Sequence, residues 1–129
     1  MSTIIQGVGK DAPVVTLECG VQQSAIPARM ELIDPLAIID LGKVLMEGAA
    51  KYGESKRGEG WYKIPTANHL NKALIHIYAY LAGDTSDDHL GHAQCRVHMA
   101  LATHLAGGPD REEELINPDQ LETGVDYVL

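Results

Sequence analysis

HIYAYLAGDTSDDHLGHAQCR, residues 76–96, is a polar break between two apolar segments, and three acids, three histidines and one arginine gather in it. On both sides of the break apolar residues recur at spacings of three and four, so the stretch reads as the turn of a helix-helix hairpin. Gly83 ends the first helix, and Asp87 or Asp88 starts the next. The cluster is expected to be a metal site at that turn. The plainer reading is that DTSDD only caps a helix and favours its dipole.

Working back from the turn, a helix is predicted over about Thr66–Leu81. Leu70, Leu74, Ile77 and Leu81 form the stripe expected to be buried, with His69, Lys72 and His76 on another. Working forward, a helix is predicted from Asp87 or Asp88 to about Ala106. Its expected core stripe is Leu90, Ala93, Val97, Leu101 and Leu105, and Asp88, His92, Cys95, Arg96 and Met99 line the other side. A further helix is predicted over Pro35–Tyr52: Asp34 can cap it, Pro35 suits a first turn, and Ile38, Leu41, Leu45, Ala49 and Tyr52 share a face. Asp40, Lys43, Glu47 and Lys51 lie opposite, and Glu47, paired with Lys51 at i,i+4, reads as a solvated partner.

The rest of the chain is less regular. Residues 1–34 form an expected irregular arm, with VVTLECGV a short extended run broken by Gly20. Residues 53–65 are a Gly-rich, charged connection anchored by Trp61 and Tyr62; Trp61 either plugs the end of the core or covers a ligand's flat ring. After Gly108 comes an acidic tail with a short helix near Glu112–Ile116 and an apolar end, Tyr127–Leu129. The expectation is one all-α domain over residues 1–129: an arm (1–34), a helical core (35–107) and a tail (108–129).

The totals narrow the function. A chain of 129 residues is one domain's worth. With no Phe and one Trp among 45% apolar residues, its core must be aliphatic and alanine-rich, which suits helices. A net charge of -8 argues against a polynucleotide partner. Two distant cysteines, Cys19 and Cys95, suggest no disulfide. Without a leader pattern or a run of roughly 20 apolar residues, a cytoplasmic protein with no membrane partner is expected. Strong apolar stripes on a chain this small predict a homodimer or homotetramer.

Asp88 and His92 are four apart on one helical face, the spacing by which helical ligands converge on one cation. Asp84 and Asp87 add oxygens at the same end, and His76 lies two turns down the first helix. An oxygen-rich set with histidines and no thiolate points to Mg2+ or Mn2+, hence to hydrolysis at phosphorus. Lys51, Lys72 and Arg96 are the available phosphate clamps, while His89, His98 and His104 read as surface or core histidines. A non-catalytic helical oligomer or nucleotide-binding module is the alternative from another class; a His-Asp-type phosphohydrolase lacks its adjacent His-Asp pair here.

RMELIDP (29–35), GAAKYG (48–53), Trp61, ALIH (73–76), GD (83–84) and HLGHA (89–93), in this order, resemble the phage dATP/dGTP diphosphohydrolase family, also called MazZ, a branch of the MazG-like all-α nucleoside triphosphate pyrophosphatases. The resemblance implies an oligomeric helical bundle that uses Mg2+ or Mn2+ to cut a purine deoxynucleoside triphosphate into monophosphate and pyrophosphate. In phages that replace adenine by 2-aminoadenine, such relatives remove dATP and supply dGMP; a phage-encoded chain would act in the host cytoplasm. The family's usual ExxE is absent, with His76 and Ala79 in its place, while DHLGH resembles EELGD. The implied metal and catalytic set is then Glu31, Asp84, Asp88 and His92, with His76 a ligand or its neighbour. Arg29, Lys51, Tyr52, Trp61, Lys72, His89 and Arg96 are the implied substrate contacts, and residues 20–24 would border the base.

Overall fold

The computed structural model of the chain describes residues 5–25 and 27–112. These divide into two compact units, with the boundary between Pro35 and Leu36. The first holds an antiparallel hairpin of β1 (Val14–Thr16) and β2 (Gln22–Ser24), with Val15 opposite Gln23. The extended run expected there is thus one strand and its turn. Leu17 N–H donates to the Val21 carbonyl and Gly20 N–H to that of Leu17, both at 2.9 Å. A single 3-10 turn follows at Met30–Leu32.

The remainder is helical: α1 spans Pro35–Tyr52, α2 Thr66–Leu81 and α3 His89–Leu105, with a 3-10 turn at Gly60–Lys63 before α2. All three bounds follow the spacing and stop signals of the sequence, and the described chain is mostly helical. Gly83 ends α2 because the chain there needs a left-handed residue, φ +87°. Ala82, Gly83 and Asp84 N–H groups then take up the carbonyls of Tyr78, Tyr80 and Ala79. No side chain caps the start of α2. Instead Thr66 and Ala67 N–H donate to the carbonyls of Pro109 and Asp110 at 3.0 and 2.9 Å, so the chain leaving α3 closes the hairpin by capping α2.

The faces are not those the stripes predict. Leu70, Leu74, Ile77 and Leu81 are exposed, as are Leu90, Val97, Leu101 and Leu105; of the expected α3 stripe only Ala93 is buried. Buried on α2 and α3 instead are Ala73, Ala93, Cys95, Ala100 and Thr103 with three histidines, His69 at 0%, His76 at 4% and His89 at 2% exposure. On α1, Leu41 is buried while Ile38 and Tyr52 are exposed. The physical reason is thickness. Small side chains let two helices approach closely, and the imidazoles fill that narrow seam where leucines would hold the helices apart. Both cysteines are free, Cys95 buried and Cys19 exposed.

No helix among the described residues is long and apolar enough to cross a membrane. Except for Glu112, the expected tail helix and the apolar end Tyr127–Leu129 lie outside the described residues. Because the seam is built on small residues, Ala73→Leu is expected to destabilise the fold by about 1–3 kcal/mol through overpacking. Urea denaturation followed by circular dichroism measures it, and an unchanged midpoint would contradict the packing described.

Candidate functional site

The seam between α2 and α3 carries a line of polar groups that begins at the turn. Asp84, just past α2, accepts from Ser86 Oγ at 2.7 Å and from His89 Nε2 at 2.5 Å. These bonds, His89's first and Ser86's second, hold the Asp84 carboxyl below its ordinary range. With Nε2 aimed at that carboxylate, His89 turns its Nδ1 inward. His76 Nδ1 stands 3.0 Å from it. A carboxylate that fixes the outer nitrogen so that the inner one can bind is the usual support of a histidine metal ligand.

One donor atom each from His76, Asp87 and His89 lie within 4.8 Å of one another. His92 closes the group: its ring stacks on His76 at 5.0 Å and 20°, and its Nε2 is 3.4 Å from Asp87 Oδ1. Burial, and then the neighbouring His92 and His89, push the His76 imidazole down, so it is neutral and able to offer a lone pair. Two inward imidazoles and a carboxylate fit a divalent cation by donor chemistry.

A second group lies beside the first. Asp88 is the N-cap of α3, accepting from Gly91 N–H at 3.1 Å. The capping reading of Asp88 therefore holds, yet it is incomplete. The Oδ2 atoms of Asp88 and of Asp40, on α1, converge on the space that a side chain at position 91 would fill. Gly91 is thus a cradle for two carboxylates. Asp40 is pushed up, chiefly by its hydrogen bond with Asp88, then by burial and the Asp88 charge. Two carboxyl groups this close hold a proton between them or invite a cation.

Farther along the seam, Arg96 Nη1 donates to His69 Nδ1 at 3.2 Å, and His69 Nε2 donates to the Trp61 carbonyl at 2.9 Å. Among the described residues no carboxylate lies within 4.0 Å of Arg96. The half-buried Trp61 stacks on Tyr62 at 3.9 Å and sets its ring edge-on to His69. Its turn packs against α3 and the ring is only partly covered.

The second unit therefore brings together His76, Asp84, Asp88, His89, His92, Arg96 and Trp61. Lys72 is half-buried on α2. Lys51 and Tyr52 stand exposed at the end of α1, the Lys51 amine 5.1 Å from the Tyr52 ring centre. Within the first unit Arg29 Nε donates to Glu31 at 2.7 Å, and this bond lowers the Glu31 carboxyl. His89 is a buried member of the candidate donor group, and Asp87 belongs to it as well. Asp40 and His69 escaped sequence reasoning. The one usable signal was Gly91 inside an apolar helix, since a mid-helix glycine costs about 1 kcal/mol and often marks a close approach.

A family model described as dATP/dGTP diphosphohydrolase, N-terminal, matches residues 18–112. No curated protein and no solved structure matches the chain. The Asp40–Asp88 pair makes a prediction independent of activity. A carboxyl whose folded pKa is raised costs stability at every pH above its unfolded value, so at pH 7 the like-charge cost is present. Asp40→Asn is accordingly expected to raise the melting temperature in EDTA at pH 7; a lower one would contradict the pairing.

Proposed function

We propose that this chain, which belongs to the dATP/dGTP diphosphohydrolase family, adds water across the α–β phosphoanhydride of dGTP and dATP with the aid of Mg2+ or Mn2+. The products are the deoxynucleoside monophosphate and pyrophosphate. The observation that carries this reading is the shared seam: the His76, Asp87 and His89 donors and Arg96, held by His69, lie along one helix pair.

His76, Asp87 and His89 would hold the cation, with Asp84 orienting His89 through Nε2 and Asp40 and Asp88 offering oxygens beside them. When bound, the cation supplies charge neutralisation at the phosphate oxygens and makes a nearby water a better nucleophile. Arg96 offers a guanidinium with no competing carboxylate among the described residues, and Lys72 a second positive charge on the neighbouring helix. His92, beside Asp87 and stacked on His76, would take the proton of the attacking water. Trp61 meets the purine with its open face, and Tyr52 and Lys51 serve the same substrate from α1.

The direct test incubates the protein with dGTP, dATP, dCTP and dTTP plus Mn2+ and resolves the products. Pyrophosphate from the two purine nucleotides is expected; orthophosphate, or no turnover, overturns the reading. Asp88→Asn keeps a comparable cap and relieves the like-charge cost against Asp40, so activity should fall at least about tenfold while the melting temperature does not fall. A pure cap would leave activity intact.

The outward leucines complete the proposal: the active form is a homodimer or homotetramer whose interface covers them. Burying one leucine is worth roughly 1.5–3 kcal/mol, and the exposed row on α2 and α3 is too continuous for water. Multi-angle light scattering should give a dimer or tetramer for the native chain and a smaller species for Leu74→Glu with Leu101→Glu. A native monomer would refute it.

A further inference from the structure

His69 is fully buried, carries no part of the metal cluster, and is the link between two groups with different tasks. The Trp61 carbonyl can only accept, so the proton sits on His69 Nε2. The neutral ring then has one lone pair, on Nδ1, and Arg96 Nη1 donates into it. One tautomer satisfies both bonds. Burial, first, and the Arg96 charge keep the ring neutral, against the Trp61 carbonyl that favours its charged form. Arg96 is thereby aimed without being neutralised, because an imidazole acceptor fixes direction and leaves the guanidinium charge for an anion. The same ring lies edge-on to Trp61, 6.2 Å between centres at 84°.

We propose that His69 is a positioning residue that aims Arg96 at the triphosphate and ties it to the Trp61 turn, so that occupancy of the phosphate site is felt at the aromatic that meets the base. The proposal rests on Arg96 meeting phosphate and Trp61 meeting the purine, as read above. Its physical content is a chain of two hydrogen bonds through one rigid ring. Any shift of the guanidinium toward an anion must move the imidazole or break its bond, and either changes the surroundings of Trp61.

Trp61 is the one tryptophan in the chain, so intrinsic fluorescence reads this position directly. The full chain is titrated with inorganic tripolyphosphate and Mg2+, which supplies phosphates without a base, and steady-state kinetics are measured with dGTP. In the native protein tripolyphosphate should change Trp61 emission saturably. His69→Gln keeps an amide donor for the Trp61 carbonyl and loses the acceptor for Arg96. It should weaken tripolyphosphate binding and raise KM for dGTP about tenfold, the worth of one hydrogen bond to a charged group, with kcat within about twofold because Arg96 acts on bound phosphate. His69→Asn keeps an acceptor near Nδ1 and loses the donor, so it should bind tripolyphosphate more tightly than His69→Gln while losing most of the emission change.

Circular dichroism on both variants separates misfolding from misplacement, and either variant suffices if the other does not fold. If Arg96→Gln binds tripolyphosphate as the native protein does, Arg96 is not a phosphate group and the underlying reading falls together with the proposal. If Arg96→Gln loses binding while His69→Gln retains both binding and the emission change, His69 positions nothing and the proposal alone is overturned.

Discussion

The contact of His76 Nδ1 with His89 Nδ1, 3.0 Å apart in the buried seam between α2 and α3, is the constraint on which the rest of the structure turns. Two imidazoles can face each other this way only if one gives a proton and the other a lone pair, or if both aim lone pairs at a cation. Asp84 settles the outer nitrogen of His89, so the choice passes to His76. A small rearrangement of protons, with no movement of heavy atoms, separates a hydrogen-bonded core from a set of metal donors. This gives a seam of histidines a physical reason to exist where leucines would ordinarily sit.

Filling the seam with imidazoles has consequences for the whole helix pair. The two helices must approach closely, and Ala73, Ala93 and Ala100 permit it. Gly91 leaves room at the turn for the carboxylates of Asp40 and Asp88. The leucines then lie exposed, outside the seam. One packing arrangement thus puts polar chemistry inside the hairpin and apolar surface outside it.

Much of this was legible in the residues. Helix bounds came from spacing and punctuation, such as Pro35 at the start of α1 and Gly83 past the end of α2. Grouping His76, Asp84, Asp88 and His92 at the turn needed only their spacing. The inversion of faces was not legible, because an apolar stripe states that something covers it and not whether that partner belongs to the same chain. The resemblance of DHLGH to EELGD puts Asp88 and His92 at ligand positions and His89 beside them as a substrate contact, so the place of His89 in the donor group was not legible. Asp40 was hidden by distance along the chain: nothing local on α1 distinguishes an acid that meets Asp88 from one that meets water. His69 was passed over because its partners, a backbone carbonyl and an arginine 27 positions away, leave no pattern.

The central claim is that the histidine seam holds the cation. Crystals grown with Mn2+ and measured at the manganese absorption edge test it most directly, because anomalous scattering locates the ion without prior assignment. The account predicts a peak within coordinating distance of His76, Asp87 and His89. Manganese bound elsewhere, with that space left to the two imidazoles and their shared proton, would contradict it.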